Sequence, residues 1–344
     1  MKMTMRWFGS GDTVRLQDIA QIPVVKGIVG TIEDKREDEV WTEADFAALK
    51  AQVNACGFSL DVIESIRVPE AIKKGAPERD ALIEVFCESL RNMGRVGIPV
   101  LCYNFMPVFD WMRTDLAYQL PDGSLVTSYD HQALLSYDLS RGLEMRVAWA
   151  RGFTGAELQA ALDEYRDIDE EALFENFAYF LRRVVPVAEE AGVFLALHPD
   201  DPPWPIFGLP RIVRDADTIQ RILKVVDSPH NGLTFCTGSL GALPSNDLVS
   251  MVHQFSDRIN FAHLRNVEIT GEQSFLEVAH TQPTHVNLPA VMQALIDVGY
   301  IGPLRPDHGR TIWGETSRTC YGLYDRALAV MYLYGLWQGM QAAG

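Results

Sequence analysis

Long apolar runs are missing from this chain of 344 residues, and none approaches the ~20 consecutive apolar residues that a membrane-spanning helix needs. The opening stretch "MKMTMRWFGSGD" has no apolar signal core either, so the chain reads as cytoplasmic. Cysteine is scarce. Cys56, Cys87, Cys102, Cys236 and Cys320 are odd in number and widely scattered, which argues against a disulfide-stapled secreted domain and for reduced thiols. Positive charge is in short supply, with 30 Lys and Arg against 46 Asp and Glu and a net charge of -16. Such a surface repels a phosphate backbone and argues against nucleic acid as a partner, although a local cation can still hold a small anion. No glycine-rich dinucleotide fingerprint follows any apolar run, and no internal repeat or low-complexity linker divides the chain.

What remains is an ordinary globular balance, 47% hydrophobic and 22% charged, with ample material for a core. Short β-branched or apolar runs recur at residues 4–8, 24–29, 60–63, 100–104, 193–198, 232–236, 259–264 and 301–307. Between them lie stretches of helical period. "TEADFAALKAQVNACG" offers Thr42 as an N-cap and Gly57 as a stop, and "DEEALFENFAYFLRRVVPVAEEAG" starts at an acidic cap, Asp169. Strands alternating with helices predict a parallel sheet, and about eight such units favour a closed (β/α)8 TIM barrel, one domain over residues 1–344. One segment breaks the rhythm. Residues 106–168 carry aromatics, prolines and a turn at Pro121-Asp122-Gly123, and a loop of that length after the fourth strand predicts a lid-like excursion over the barrel mouth. It is expected to exclude water there and to pack against a second subunit.

Chemically able residues gather at strand ends. His198 ends "VFLALH", Cys236 ends "GLTFC", His263 lies near the end of "INFAHLRN", and Asp307 and His308 close "IGPLRPDH". Any one of them alone reads as a hydrogen-bonded or core residue. Together they share the C-terminal ends of four successive strands, where the active sites of such barrels lie, and this predicts one divalent metal held by His198, Cys236, His263 and Asp307. His131, His230 and His253 fall in loops or on helix surfaces and are assigned no chemistry. His280 and His285 lie in an irregular segment, "EVAHTQPTHVN", where His280 is a candidate substrate contact.

The strings "RWFGSGD", "VIES", "CYNFMPVFDWMRTDL", "LHPDDPP", "GLTFCTGSLG", "HLRN" and "RPDHG" occur in that order across nearly the whole length. In them the chain resembles the bacterial mannonate dehydratase family of metal-dependent, xylose-isomerase-like barrels. The resemblance implies the same four ligands, a catalytic pair at His308 and Tyr321, and Mn2+ or Fe2+ as the ion, where a thiolate ligand by itself points to softer ions such as Zn2+ or Fe2+. The substrate-binding set expected with them is Arg265, Asn266, Arg310, Trp111, Arg113 and His280. The implied reaction turns D-mannonate into 2-keto-3-deoxy-D-gluconate and water, a step of hexuronate and glucuronate catabolism, in a homodimer or higher homo-oligomer with a small sugar acid as its partner.

Three departures from the family pattern bear on substrate: Pro69 and Leu276 stand where the family has histidines, and Asn287 where it has an aspartate. The chemistry nevertheless fits the residues. Removing the C2 proton of an aldonic acid creates a costly dianion that a divalent ion offsets, and expelling the C3 hydroxyl needs an acid. His308 is the expected acid and Tyr321 the expected base, with the reverse assignment open. Alternatives are another aldonic acid, a metal-dependent sugar isomerase or epimerase, which would need no carboxylate-binding group, and a non-catalytic sugar-acid binder.

Overall fold

The computed structural model describes residues 1–142 and 153–343. Its strands in chain order are β1 (Lys2–Arg6), β2 (Gly27–Gly30), β3 (Ser59–Glu64), β4 (Val100–Tyr103), β5 (Asp115–Gln119), β6 (Leu125–Asp130), β7 (Phe194–Leu197), β8 (Asn231–Cys236), β9 (Ile259–His263), β10 (Val267–Gly271), β11 (Ser274–Glu277) and β12 (Pro303–Arg305). Eight of them close a barrel in the order β1-β12-β9-β8-β7-β4-β3-β2. Every neighbouring pair in it is parallel, including the closing pair, in which Lys2 faces Pro303 and Met3 faces Leu304.

Local sequence explains the helices that wrap this ring. Thr42 caps Glu43–Ala55 in a capping box with Asp45, and Gly57 follows with φ 83°. Asp169 caps Glu170–Ala191 through the Ala172 amide, and Gly192 ends that helix in the left-handed region. Apolar side chains then divide into two bodies. A large one, including Phe46, Leu90, Phe177, Phe180 and Val252, packs between strands and helices. A small one, Val29, Val62, Val100, Cys102, Ala196 and Phe261, fills the inside of the ring beneath the polar mouth.

A second sheet accompanies the barrel. It has the order β10-β11-β6-β5 and is antiparallel throughout. The excursion expected over 106–168 supplies its hairpin β5–β6, while residues 143–152 of that excursion lie outside the described residues. The hairpin β10–β11 comes from the loop after barrel strand β9, so two barrel loops are joined edge to edge through β6 and β11. Tyr129 stacks on Phe275 across that seam, with ring centroids 5.9 Å apart. A second tie is the two-way backbone bridge between Leu125 and Thr311.

Candidate active site

The strand rule delivers the donors directly. His198 follows β7, Cys236 ends β8 and His263 ends β9, and one ligand atom from each lies within 4.8 Å of the others. Asp307 joins them, with Oδ2 3.7 Å from Cys236 Sγ and Oδ1 3.8 Å from His263 Nδ1. His198 directs Nδ1 at the Pro199 carbonyl, 2.7 Å away. Although burial alone would lower its pKa, the facing Cys236 sulfur and the Asp307 and Glu64 carboxylates hold it up at about 9. The cluster therefore draws positive charge toward itself. His263 Nδ1 is fully buried and has no hydrogen-bond partner. Converging nitrogen, sulfur and carboxylate donors around an orphaned ring nitrogen are what a divalent ion requires.

Asp307 reaches its place by a route the pattern did not reveal. The strand expected over 301–307 is shorter, Pro303–Arg305, and Asp307 has φ 66°. A left-handed residue here, strained for any side chain, separates the direction of Asp307 from that of His308, so pleat alternation is not the cause. Burial would raise the Asp307 pKa, but His308, Arg305, His263 and Arg265 hold it well below the carboxylate range. Arg305 ties the donors together: Nη2 meets Asp307 at 2.9 Å and Glu64 at 2.8 Å, and Nε donates to His263 Nε2 at 2.9 Å. Glu64 and Cys102 form a second donor group with His263, but the Arg305 cation already sits on the ring nitrogen that faces them.

Beside the donors lie His308, Glu277 and Tyr321. His308 Nδ1 is 2.8 Å from Glu277 Oε1, and its ring meets those of Trp111 at 5.7 Å and Tyr321 at 5.2 Å, both edge-on. Glu277 stays ionised at about 2 despite burial, because His308, Arg265 and Arg113 surround it. Burial pushes the Tyr321 phenol above its ordinary range while Arg305 pulls the other way. The short "CYG" turn that presents Tyr321 has a steric reason: a Cβ on Gly322 would overlap the Glu315 carboxylate, which accepts the Leu323 amide at the head of the helix Leu323–Ala343.

A cavity of about 300 Å³ opens onto this group, and Trp111, His198, Arg265, Asp307, His308 and Tyr321 all line it. Four residues expected to touch substrate lie elsewhere. Arg113 is fully buried behind the wall, bridging Asp201 at 2.6 Å and Glu277 at 2.7 Å. Asn266 spends its amide on the Ala279 and Gln282 carbonyls, and its oxygen on Thr284. Arg310 is paired with Asp325 and Asp122, and His280 bonds the Pro306 carbonyl beneath the Asp307 turn. Pro69, Leu276 and Asn287 are absent from the lining as well. Pro69 precedes a short helix, Asn287 caps another, and Leu276 points away from the face of β11 that carries Glu277.

Several working residues had received no role from the sequence. Arg6 ends β1 and Glu64 ends β3, so the strand-end rule that found His198 and Cys236 applies to them equally. Asp201, held by Arg113, Arg265 and the Ser239 hydroxyl, follows His198 in "HPDD". Glu277 carried no comparable signal, because it belongs to the second sheet.

Comparison with known proteins assigns the chain to a family. The family model described as D-mannonate dehydratase (UxuA) matches residues 1–344. The mannonate dehydratase of Thermotoga petrophila is 50% identical over 353 aligned residues, covering 99% of this chain and 98% of its own. Mannonate dehydratase 2 of Halalkalibacterium halodurans is 47% identical, with 99% and 100% covered. The crystal structure of mannonate dehydratase from Streptococcus suis serotype 2 superposes with a TM-score of 0.93 at 45% identity, covering 100% of this chain and 96% of that one. D-psicose 3-epimerase from Clostridium cellulolyticum H10, 11% identical with a TM-score of 0.58 and coverage of 98% and 99%, shares the fold alone. By family model, sequence identity and superposition alike, this chain belongs to the D-mannonate dehydratase family.

Proposed function

We propose that the chain is a metal-dependent hydro-lyase that converts D-mannonate to 2-keto-3-deoxy-D-gluconate and water, in hexuronate breakdown. One observation carries this reading. His198 and Asp307, from a cluster able to hold a divalent ion, share a cavity wall with His308, which Glu277 backs from behind, and with a buried tyrosine, in a member of this family. His198, Cys236, His263 and Asp307 would hold the ion, with Mn2+ as the proposed metal and Fe2+ the alternative. When bound, it supplies Lewis-acid stabilisation of the charge that develops at the substrate carboxylate and C2 oxygen. A neutral His263 that accepts a hydrogen bond at Nε2 carries its proton on Nδ1, so coordination there requires Arg305 to release Nε2.

The residues then divide the proton work. His308, backed by Glu277 at Nδ1, would take the C2 proton through Nε2. Tyr321, whose phenol burial keeps protonated, would give its proton to the departing C3 hydroxyl. This reverses the assignment expected from sequence, in which Tyr321 was the base. That role would need added positive charge to draw the phenol down, which a bound divalent ion beside Arg305 would supply. Trp111 closes the cavity against His308, which supports reading the excursion as a cover that keeps water from the intermediate. The departures at Pro69, Leu276 and Asn287 lie off the cavity wall and so leave the family's substrate as the first choice.

The test is incubation of the Mn2+-loaded protein with a panel of aldonic acids and of neutral aldoses. Formation of a 2-keto-3-deoxy acid from D-mannonate supports the reading. Turnover of an aldose to a ketose with no dehydration would replace it by isomerase chemistry, and binding with no product of either kind by a sugar-acid binder.

The same reading has the chain pairing with a second copy of itself. The helix Leu323–Ala343 exposes Tyr324, Leu328 and Met331 along one side, next to the exposed Trp313, and residues 327–343 carry no charged side chain. On a chain of net charge -16, the least charged face is where two copies meet at the smallest electrostatic cost. Leu328→Glu is expected to lower the mass measured by light scattering, and an unchanged mass would remove this face from consideration. Among the described residues, no helix is long and apolar enough to cross a membrane.

A further inference from the structure

Five buried arginines, Arg6, Arg113, Arg265, Arg305 and Arg326, lie in or behind the wall of the cavity, and their partners set one apart. Arg305 meets Glu64 and Asp307, Arg265 meets Asp201 and Asp307, and Arg113 meets Asp201 and Glu277, each within ion-pair distance. Among the described residues Arg326 has no carboxylate within that distance, yet its N–H groups reach three backbone carbonyls, those of Arg6, Tyr321 and Gly322, at 2.7 to 2.9 Å. Arg6 has neither arrangement. It makes no ion pair among the described residues, and its one hydrogen bond is a long contact of 3.4 Å to the Val29 carbonyl.

A cation in that state needs a reason. Arg6 is only 7% exposed, and what remains open lies on the cavity it lines together with Phe8, Glu64, Arg305 and Tyr321. The Phe8 ring, 4.3 Å from its guanidinium carbon, gives the plane an apolar neighbour that supplies no hydrogen-bond acceptor. Burial destabilises the charged form, and the nearby carboxylate that pulls the other way is Glu64. Glu64 is already engaged by Arg305 at 2.8 Å. Burying a charge without a partner is among the more expensive arrangements in a protein, and a site tolerates it where the partner comes from outside.

We propose that Arg6 binds the carboxylate of the sugar acid and is the residue by which this site selects an acid over the corresponding neutral polyol. The inference rests on the hydro-lyase reading above, and it adds a group that this reading does not use. The position fits the chemistry. Arg6 is the last residue of β1, at the same barrel end as the donors, and beside both Tyr321 and Glu64. A substrate carboxylate has two oxygens, and a planar guanidinium edge is the side chain best shaped to take one or both of them. Charge that spreads onto those oxygens after loss of the C2 proton would strengthen the same contact, so Arg6 contributes to binding and more so as the reaction proceeds.

The experiment compares wild type, Arg6→Gln and Arg6→Lys, all loaded with Mn2+. D-mannonate is the substrate, and D-gluconate and D-glucitol are competing ligands that differ from each other only in the carboxylate. For Arg6→Gln the expected result is a KM for mannonate and a Ki for gluconate raised roughly 10- to 100-fold, with the Ki for glucitol unchanged. Arg6→Lys, which keeps the charge and loses the flat fork, should fall between the two. Metal content and the circular dichroism spectrum serve as structural controls, and where Arg6→Gln does not fold, Arg6→Lys alone decides through the same ratio. Parallel weakening of gluconate and glucitol, or no change in either, overturns the proposal. Failure of the wild type to dehydrate mannonate would instead overturn the hydro-lyase reading, and the gluconate-to-glucitol ratio would still report on Arg6.

Discussion

The proposed metal side and the proposed proton-handling side of this cavity touch each other, yet they are built in different ways. His198, Cys236 and His263 sit at or one residue past the ends of parallel strands, so the barrel itself places them. His308, Glu277 and Tyr321 depend on parts outside the barrel: a left-handed residue at Asp307, an antiparallel sheet shared between two loops, and a turn that requires Gly322. Three of the four donors are inherited from the architecture, whereas Asp307 and the other half of the site are added to it. Metal retention and proton transfer should therefore fail separately.

The strongest way to break that comparison is at the proton carriers. His308→Asn and Tyr321→Phe are each expected to lower kcat by about 10²- to 10⁴-fold while the Mn2+ content measured after gel filtration stays at the wild-type level. Loss of the metal along with activity would merge the two sides into one. Cys236→Ser should do the opposite. Its metal affinity, measured by competition with a chelator, is expected to fall by about 100-fold or more with the far-ultraviolet spectrum unchanged, since a neutral hydroxyl replaces a charged soft donor.

Glu277→Gln sharpens the contrast, because it removes nothing that touches substrate. A loss of about 10- to 100-fold in kcat is expected with little change in KM, as the His308 ring loses the carboxylate that orients it. The same change should alter acid stability. The folded pKa of Glu277, about 2, lies below the usual value near ~4.3. Its contribution to stability is therefore full above that usual value and is lost as pH falls toward 2. Urea unfolding between pH 5 and 3 should show a shallower acid decline in Glu277→Gln than in wild type. The smallest effect on catalysis belongs to Arg310→Ala: its ion pairs are with Asp325 and Asp122 away from the cavity, so KM should change less than about 2-fold, while stability should fall by about 1–3 kcal/mol because the buried Asp325 loses its partner.

The same division governs what could be read from the amino acids. Barrel strands announce themselves as apolar runs because both faces are covered, and β8 is buried at each of its positions. With the strands located, polar residues at their ends point to the mouth, and that rule reaches His198, Cys236 and His263. It would also have reached Arg6 and Glu64, had it not been confined to metal-capable types on later strands. The second sheet gives no such signal. β5 is exposed along most of its length, β10 carries Glu268 and ends at Gly271, and both of their pairings include a register shift. Nothing in "SFLEVAH" distinguishes Glu277 from a surface glutamate until β6 is laid beside it. Asn266 and Arg310 misled for the converse reason, since both adjoin strong motifs while their side chains turn to neighbouring loops.

Closure of the barrel by β1 and β12 has a consequence for how the protein is made. Lys2 and Met3 find their partners in Pro303 and Leu304 only after some 300 intervening residues have been synthesised. At roughly 5–20 residues per second, that leaves the outer edge of β1 unpaired for about 15–60 s on the ribosome. The edge facing β12 on β9 waits more briefly, because that strand is itself made late. An open edge of buried-type strand is a template for pairing with another chain, so cells that translate this message heavily or lack holding chaperones should accumulate insoluble protein in proportion to synthesis rate.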